Sequence, residues 1–447
     1  MPAHTSDPAA IKIVRNAVAP ILAVFQTQAR GGVILVLSAL AALVWANSPA
    51  GELYEQLLHT DVAVRIGAHA LSLPVSHWIN DGLMSLFFFV VGLEIKREVL
   101  SGELSSPRQA ALPIAAAIGG VVLPALLYWV VNRGTPTAAG WGIPMATDIA
   151  FALGVLALLG ARVPLWMVVF LTALAIVDDL MSVLVIAAFY TPVIHTDALM
   201  VAFAAWAFVL VMNVRDVRSP ALYLISGAVM WLAMHESGVH ATIAGVLMGL
   251  SVPASPRIDR RRFVDAVSSG LSHFRRVGQG EQVEQRVLDG ALYSIHHAAT
   301  GIQPPSHRLE DALHGPVAYV ILPIFALANA GVAVSVSDAM TAANTACASG
   351  VVLGLLVGKP LGIWGASWLA VRFGVADLPD GARWSQLFGV AILGGIGFTM
   401  SLFVTGLAFK DATHITPAKI GILGGSMVAA VVGLLVLRRV LPPRRLD

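Results

Sequence analysis

Apolar residues run along the 447-residue chain in long unbroken stretches, separated by short polar connections. A stretch of about 20 such residues is what an α-helix needs to cross a bilayer. The pattern predicts twelve spans: 31–47, 76–95, 109–131, 141–160, 165–190, 197–213, 220–235, 237–252, 312–333, 346–371, 385–408 and 418–438. The expected fold is therefore an all-α polytopic membrane protein.

Two segments depart from that pattern. In "TDVAVRIGAHALSLP", residues 60–74, Val62, Val64 and Ile66 alternate before Gly67, and Leu71 and Leu73 after it. Such alternation fits an external β-hairpin. A lone hairpin is marginal in water, so it would pair with a copy on a second protomer; a plain loop is the other reading. The second segment is a long polar insertion, 253–309. Its stretch "RRRFVDAVSSGLSHFRRV" puts Phe263, Val267, Leu271 and Phe274 on one helical stripe flanked by arginines. That pattern suits an interfacial helix on anionic lipid, with a solvated linker as the alternative.

Composition agrees with the span pattern. Hydrophobic residues make up 57% and charged residues 12%, where an ordinary soluble domain carries about 25% charged. A single cysteine, Cys347, excludes an intrachain disulfide and a cysteine metal cage. The formal charge of +2 gives no sign of a nucleic-acid partner, and residues 1–30 lack a signal-peptide pattern.

Charge placement sets the orientation. With the N-terminus inside, the short cytoplasmic segments and tails hold fifteen Lys and Arg, and the external loops hold only Arg65, Arg133, Lys410 and Lys419. The positive-inside rule then puts both termini in the cytoplasm. The expected organisation is a cytoplasmic segment 1–30, spans one to eight over 31–252, a cytoplasmic insertion 253–311, spans nine to twelve over 312–440, and a tail 441–447.

With the loops assigned, few ionisable groups remain at membrane depth: Asp148, Asp178, Asp179 and Lys359, with Glu94 near a cytoplasmic end and Asp81 near an external one. Each central acid costs roughly 2.5–3.5 kcal/mol on insertion scales, so such residues point to function. One acid–lysine pair could serve helix packing alone; three acids against one lysine could not. Adjacent residues on a helix point about 100° apart. Of Asp178 and Asp179 in "ALAIVDDLMSVL", one can line an aqueous funnel while the other turns toward Lys359. The sequence leaves open which does which.

Two spans are interrupted by glycine and proline. "GWGIPMATDIAFALG", 140–154, carries Gly140, Gly142 and Pro144 before Thr147 and Asp148; "GVAILGGIGFTMSLF", 389–403, carries Gly394, Gly395 and Gly397 before Thr399. These residues weaken helix interiors. The two spans are the fourth and eleventh, the middle members of groups 3–5 and 10–12, and they cross in opposite senses. This is the inverted-repeat pattern in which discontinuous helices build an ion site. Asp148 and Lys359 have the signs needed to neutralise the exposed helix ends.

The stretches "ATDIAFALGVLALLG", "TALAIVDDL", "HESGVHATIAG", "LPIFALANAGV", "VGKPLGI", "GGIGFTMSLF" and "WINDGLMSLFFFVVGLEIKREVLSGEL" resemble the NhaA-type sodium/proton antiporters. The matches run in order from about residue 31 to 440 and cover nearly all of the chain except the tail and the 253–309 insertion. That family is itself an example of the inverted-repeat architecture, so the two indications are not independent.

The resemblance implies exchange of Na⁺ or Li⁺ for H⁺ across a bacterial inner membrane, by a transporter and not an enzyme, with no cofactor. It implies Asp179 as the principal ion- and proton-binding carboxylate and Asp178 as its partner, held by Lys359 when no sodium is bound. Asp148, Thr147 and Lys359 would compensate charge at the broken helices. Glu94, Glu98, Glu310 and His314 match the family's cytoplasmic pH-responsive cluster, His240 matches a histidine linked to pH response, and the external hairpin would join two protomers. The insertion is long for the family and lies next to Glu310 and His314. A cation-coupled solute symporter of the same fold is the rival reading.

Overall fold

The computed structural model describes residues 27, 30–66, 69–191, 194–215, 217, 219–256, 258–278, 285–333, 341–343 and 345–442. Most of the expected N-terminal segment, the hairpin tip at Gly67 and the last residues of the tail lie outside them.

Nearly all of the described chain is helical. We label the helices α1 (Arg30–Ala46), α2 (Gly51–His59), α3 (Val75–Ser101), α4 (Pro107–Asn132), α5 (Pro136–Met145, a 3-10 stretch), α6 (Ile149–Ala157), α7 (Leu165–Phe189), α8 (Thr196–Val214), α9 (Pro220–Ser237), α10 (Thr242–Ser251), α11 (Arg260–Gly278), α12 (Gln285–Ile302), α13 (Pro305–Asn329), α14 (Ala346–Arg372), α15 (Trp384–Gly394), α16 (Phe398–Ala408) and α17 (Ala412–Val440). Seven helices are long and apolar enough to cross a membrane, and up to ten if each of three bent pairs counts as one span. The chain is a multi-pass membrane protein.

The alternating residues at 60–74 form a hairpin. Strands β1 (Asp61–Ile66) and β2 (His69–Pro74) pair antiparallel, with Val62 opposite Leu73 and Val64 opposite Leu71. Its root is tied to α3 by hydrogen bonds from Val75 N–H to Thr60 O and from the Trp78 indole N–H to Val62 O, both 3.0 Å.

The insertion differs from a loop with one helix. It is a helical hairpin, α11 against α12, and Gly270 sits so close to Ile295 that an added Cβ would fall 2.6 Å from its side chain. Only the arginine-flanked stripe of α11 is legible in the sequence, and its Phe263 and Val267 are half-covered. Helix α13 also starts earlier than expected, at Pro305 and not at 312, because Pro305 in the first turn needs no intrahelical N–H partner.

The surroundings of Lys359 are framed by α4 and α14, which cross at near-contact. A Cβ on Gly119 would meet Gly362 O at 2.1 Å, and one on Gly362 would meet Gly119 O at 2.1 Å. Only glycine permits this approach. It lays the Lys359 side chain beside Gly120. A π-helical turn, Gly354–Gly358, immediately precedes the lysine. Such turns frequently mark functional positions in helices.

Candidate functional site

The two spans that the sequence shows interrupted, around 140–154 and 389–403, are broken in the structure. Helices α5 and α6 meet at 46°, α15 and α16 at 45°. Their linking residues lie against each other, and Asp148 N–H donates to Ile396 O at 2.7 Å. Backbone freed at such a break must find partners within the protein, and here the side chains supply them.

Asp148 caps both N-terminal ends. Its Oδ1 accepts from Phe151 N–H at 2.9 Å, in the first turn of α6. Its Oδ2 accepts from Thr399 N–H at 3.1 Å and from the Thr399 hydroxyl at 2.5 Å, in the first turn of α16. One buried carboxylate thus faces two helix N-termini, each with partial positive charge. The C-terminal ends carry the opposite partial charge. Lys359 Nζ donates to Met145 O at the end of α5, and the Thr147 hydroxyl donates to Gly394 O, 2.9 Å away, at the end of α15. Ser401 adds a bond to Ile143 O at 2.7 Å.

Asp178 and Asp179 come from the middle of α7, and both are buried. Lys359 Nζ lies 2.7 Å from Asp178 Oδ2, so the lysine joins α14, α5 and α7 at one point. Asp178 Oδ1 and Asp179 Oδ1 are enclosed, yet neither accepts a hydrogen bond. Ser182, one turn along the same helix, is fully buried and its Oγ also lacks a partner. Buried polar atoms are satisfied as a rule, and a cluster of exceptions calls for an explanation. Asp178, Asp179 and Ser182 lie within about one turn of α7, and their three unpartnered oxygens are hard donors of the kind a small cation takes.

The second group of sequence-predicted residues also meets, where α3 and α13 lie together. Arg97 Nη1 is 2.9 Å from Glu310 Oε1 and Arg97 Nη2 is 3.0 Å from Glu98 Oε1. His314 Nδ1 is 3.6 Å from Glu94 Oε1. Glu98 Oε2 accepts from Glu103 N–H at 2.9 Å. The Glu103 carboxyl, in the connection beyond α3, is pushed up by burial and then by the Glu98 charge. Glu310 Oε2 and His314 Nε2 are buried without partners.

The remaining predicted residues lie elsewhere. Asp81 stands at the other end of α3, between His77 and His235. His240 Nε2 is 2.9 Å from Tyr190 O at the end of α7. The Tyr190 hydroxyl in turn donates to Ala139 O at 2.9 Å and accepts from Gly142 N–H at 3.1 Å. His240 is thereby linked to the broken span through Tyr190.

The family model described as Na⁺/H⁺ antiporter 1 matches residues 23–437. The chain belongs to that family. It is 47% identical over 444 residues to the Na⁺/H⁺ antiporter NhaA of Oleidesulfovibrio alaskensis, covering 99% of this chain and 98% of that protein. The Na⁺/H⁺ antiporter NhaA 1 of Saccharophagus degradans is 46% identical over 412 residues (92% of this chain, 89% of the relative). The NhaA 2 of Syntrophotalea carbinolica is 46% identical over 418 residues, or 93% and 95% of the two chains.

Two residues of this family member stand out only in three dimensions. Arg97 bridges two of the glutamates, and its sole sequence signal is its place in "LEIKRE". Thr399 gives Asp148 both of its contacts to α16, and its position after three glycines was the only hint. A hydrogen bond to a charged group contributes about 1.5–3 kcal/mol. Thr399→Val is expected to lower thermal stability by that order, with Thr399→Ser retaining it, as read by thermal unfolding in detergent.

Proposed function

We propose that the protein exports Na⁺ (or Li⁺) in exchange for H⁺ across the bacterial inner membrane and so serves pH and sodium homeostasis. Beside family membership, the observation that supports this best is the pair of buried aspartates with unpartnered oxygens next to two charge-compensated helix breaks. Asp179 is the principal carboxylate, and Asp178 joins it once sodium displaces Lys359. Sodium and protons compete for the same oxygens, and the competition itself couples the two flows. Asp148, Thr147 and Lys359 hold the broken ends in place.

Sodium binding releases protons from Asp179 and from the Asp178–Lys359 pair, so more than one proton moves per sodium ion. Exchange is then electrogenic, and each net charge gains roughly 2.3 kcal/mol per 100 mV of inside-negative potential. Access alternates by rocking of one helix bundle against the other around the fixed site, as in other inverted-repeat transporters. The ions are substrates, and no cofactor takes part.

The architecture that goes with this mechanism has twelve spans: the seven long helices, α1, the two broken pairs α5–α6 and α15–α16, α9 and α10. Spans 3–5 and 10–12 are inverted repeats, and their broken helices cross at the midplane. Both termini and the 253–311 insertion are cytoplasmic, the insertion resting on anionic lipid through the arginine-flanked face of α11. The external hairpin joins two protomers into a homodimer.

Glu94, Glu98, Glu310 and His314 act as the pH-responsive group, with Arg97 bridging Glu98 and Glu310. Glu310→Gln is expected to move the activity-versus-pH profile while leaving apparent sodium affinity at the optimal pH little changed. A profile that stays in place would make the cluster structural.

The function is tested in proteoliposomes with a pH-sensitive dye inside. A sodium gradient should drive opposing proton flux, and an imposed potential should change its rate. Flux that ignores the potential would contradict electrogenic exchange, and flux that requires an organic solute would indicate a symporter.

A further inference from the structure

At the hairpin end of the molecule, well removed from Asp178 and Asp179 in the chain, three side chains with metal-binding chemistry converge. His77 and Asp81 lie one turn apart at the start of α3, and His235 enters from the last turn of α9. His77 Nε2 is 2.9 Å from Asp81 Oδ2, and His235 Nδ1 is 3.6 Å from the same oxygen. One ligand atom from each residue lies within 4.8 Å of the other two. In tetrahedral zinc sites, metal–ligand bonds of about 2.0–2.1 Å put neighbouring donor atoms about 3.3 Å apart. The two measured separations fall on either side of that value.

The surroundings hold the donors in orientation. Trp231 stacks on the His235 ring, with centroids 5.9 Å apart and planes at 12°, and Trp78 stacks on Trp231 at 5.9 Å and 21°. Asp81 O accepts from the Trp231 indole N–H at 3.1 Å and from the Ser85 hydroxyl at 2.5 Å. Such outer contacts are what keep metal ligands in position. One side remains open: the His77 side chain is 47% exposed, against 20% for His235 and 18% for Asp81.

We propose that His77, Asp81 and His235 bind a divalent transition-metal ion of the zinc class, with water as the fourth ligand. Two imidazole nitrogens and one carboxylate oxygen suit such an ion, whereas Na⁺, Mg²⁺ and Ca²⁺ prefer all-oxygen surroundings. The site is distinct in chemistry from that of the transported cation. A bound ion would clamp α3 to α9 directly beneath the hairpin, since Trp78 is bonded to Val62 O.

The test is calorimetric titration of Zn²⁺ into the full-length, tag-free protein in detergent, alongside the double variant His77→Gln/His235→Gln. Gel filtration and an unchanged melting temperature in metal-free buffer establish that the variant is folded. Wild type should bind one Zn²⁺ per chain, excess Na⁺ should not displace it, and the double variant should lose it. Co²⁺ should give wild type, and not the variant, the intense visible absorption of a four-coordinate site. Absence of binding by wild type would overturn the proposal. So would binding that persists in the double variant, or Zn²⁺ that excess Na⁺ displaces.

Discussion

Asp179→Asn is expected to silence sodium-induced proton movement in proteoliposomes while the protein still folds and inserts. The substitution keeps the volume and one carbonyl oxygen but removes the negative charge and the exchangeable proton. Asp179 has no ion-pair partner in the structure among the described residues, and its Oδ1 accepts no hydrogen bond. Neutralising it therefore breaks no ion pair and leaves Lys359 on Asp178. Stability should stay near wild type or rise, because a buried carboxylate has been made neutral. A variant that still releases protons on adding sodium would move the principal role to Asp178. One that is inactive only because it is misfolded would show a lowered melting temperature.

The second large effect concerns Lys359. Removing one partner of a buried ion pair costs about 3–5 kcal/mol, because the other charge is left without compensation. Lys359→Ala strands Asp178 and also withdraws the donor from Met145 O at the end of α5. It should lower the melting temperature markedly. Pairing it with Asp178→Asn should recover much of that loss, since the stranded charge is gone, while transport stays impaired. The measurement is a double-mutant cycle of thermal unfolding with proton release read in parallel. Additive losses would mean that the pair contributes nothing as a pair.

These effects follow from residues that were prominent in the sequence for a simple reason. Acids within an apolar run are costly, so Asp148, Asp178, Asp179 and Lys359 stand out against their neighbours. Glycine and proline marked both helix breaks, and the period-two alternation marked the hairpin, because each is a local property of the chain. The double cap by Asp148 was not legible. It depends on Thr399, 251 positions away, reaching the other oxygen of the carboxylate that caps α6. The sequence also left open which aspartate meets the lysine, and the structure gives that contact to Asp178.

Arg97 and the His77–Asp81–His235 group show the same limit. Glu310 meets Arg97, and His235 meets His77 and Asp81, from a separate helix, and only packing brings them together. The insertion was half legible. The aromatic stripe of α11 is strong, but α12 combines a weaker apolar face with His296, His297 and several small residues, and its partner was needed to reveal it. The start of α13 was misplaced because its first turns are polar, "PSHRLEDALHGP", and follow prolines that look like loop residues.

Competition between sodium and protons for one pair of carboxylates is tested most directly on the purified protein, without a membrane. Sodium is titrated calorimetrically in buffers of different ionisation enthalpy, and the slope of heat against that enthalpy gives the protons released per ion bound. The predicted result is more than one proton released per sodium in wild type and none in Asp179→Asn. Sodium binding whose heat is the same in every buffer would contradict a shared site.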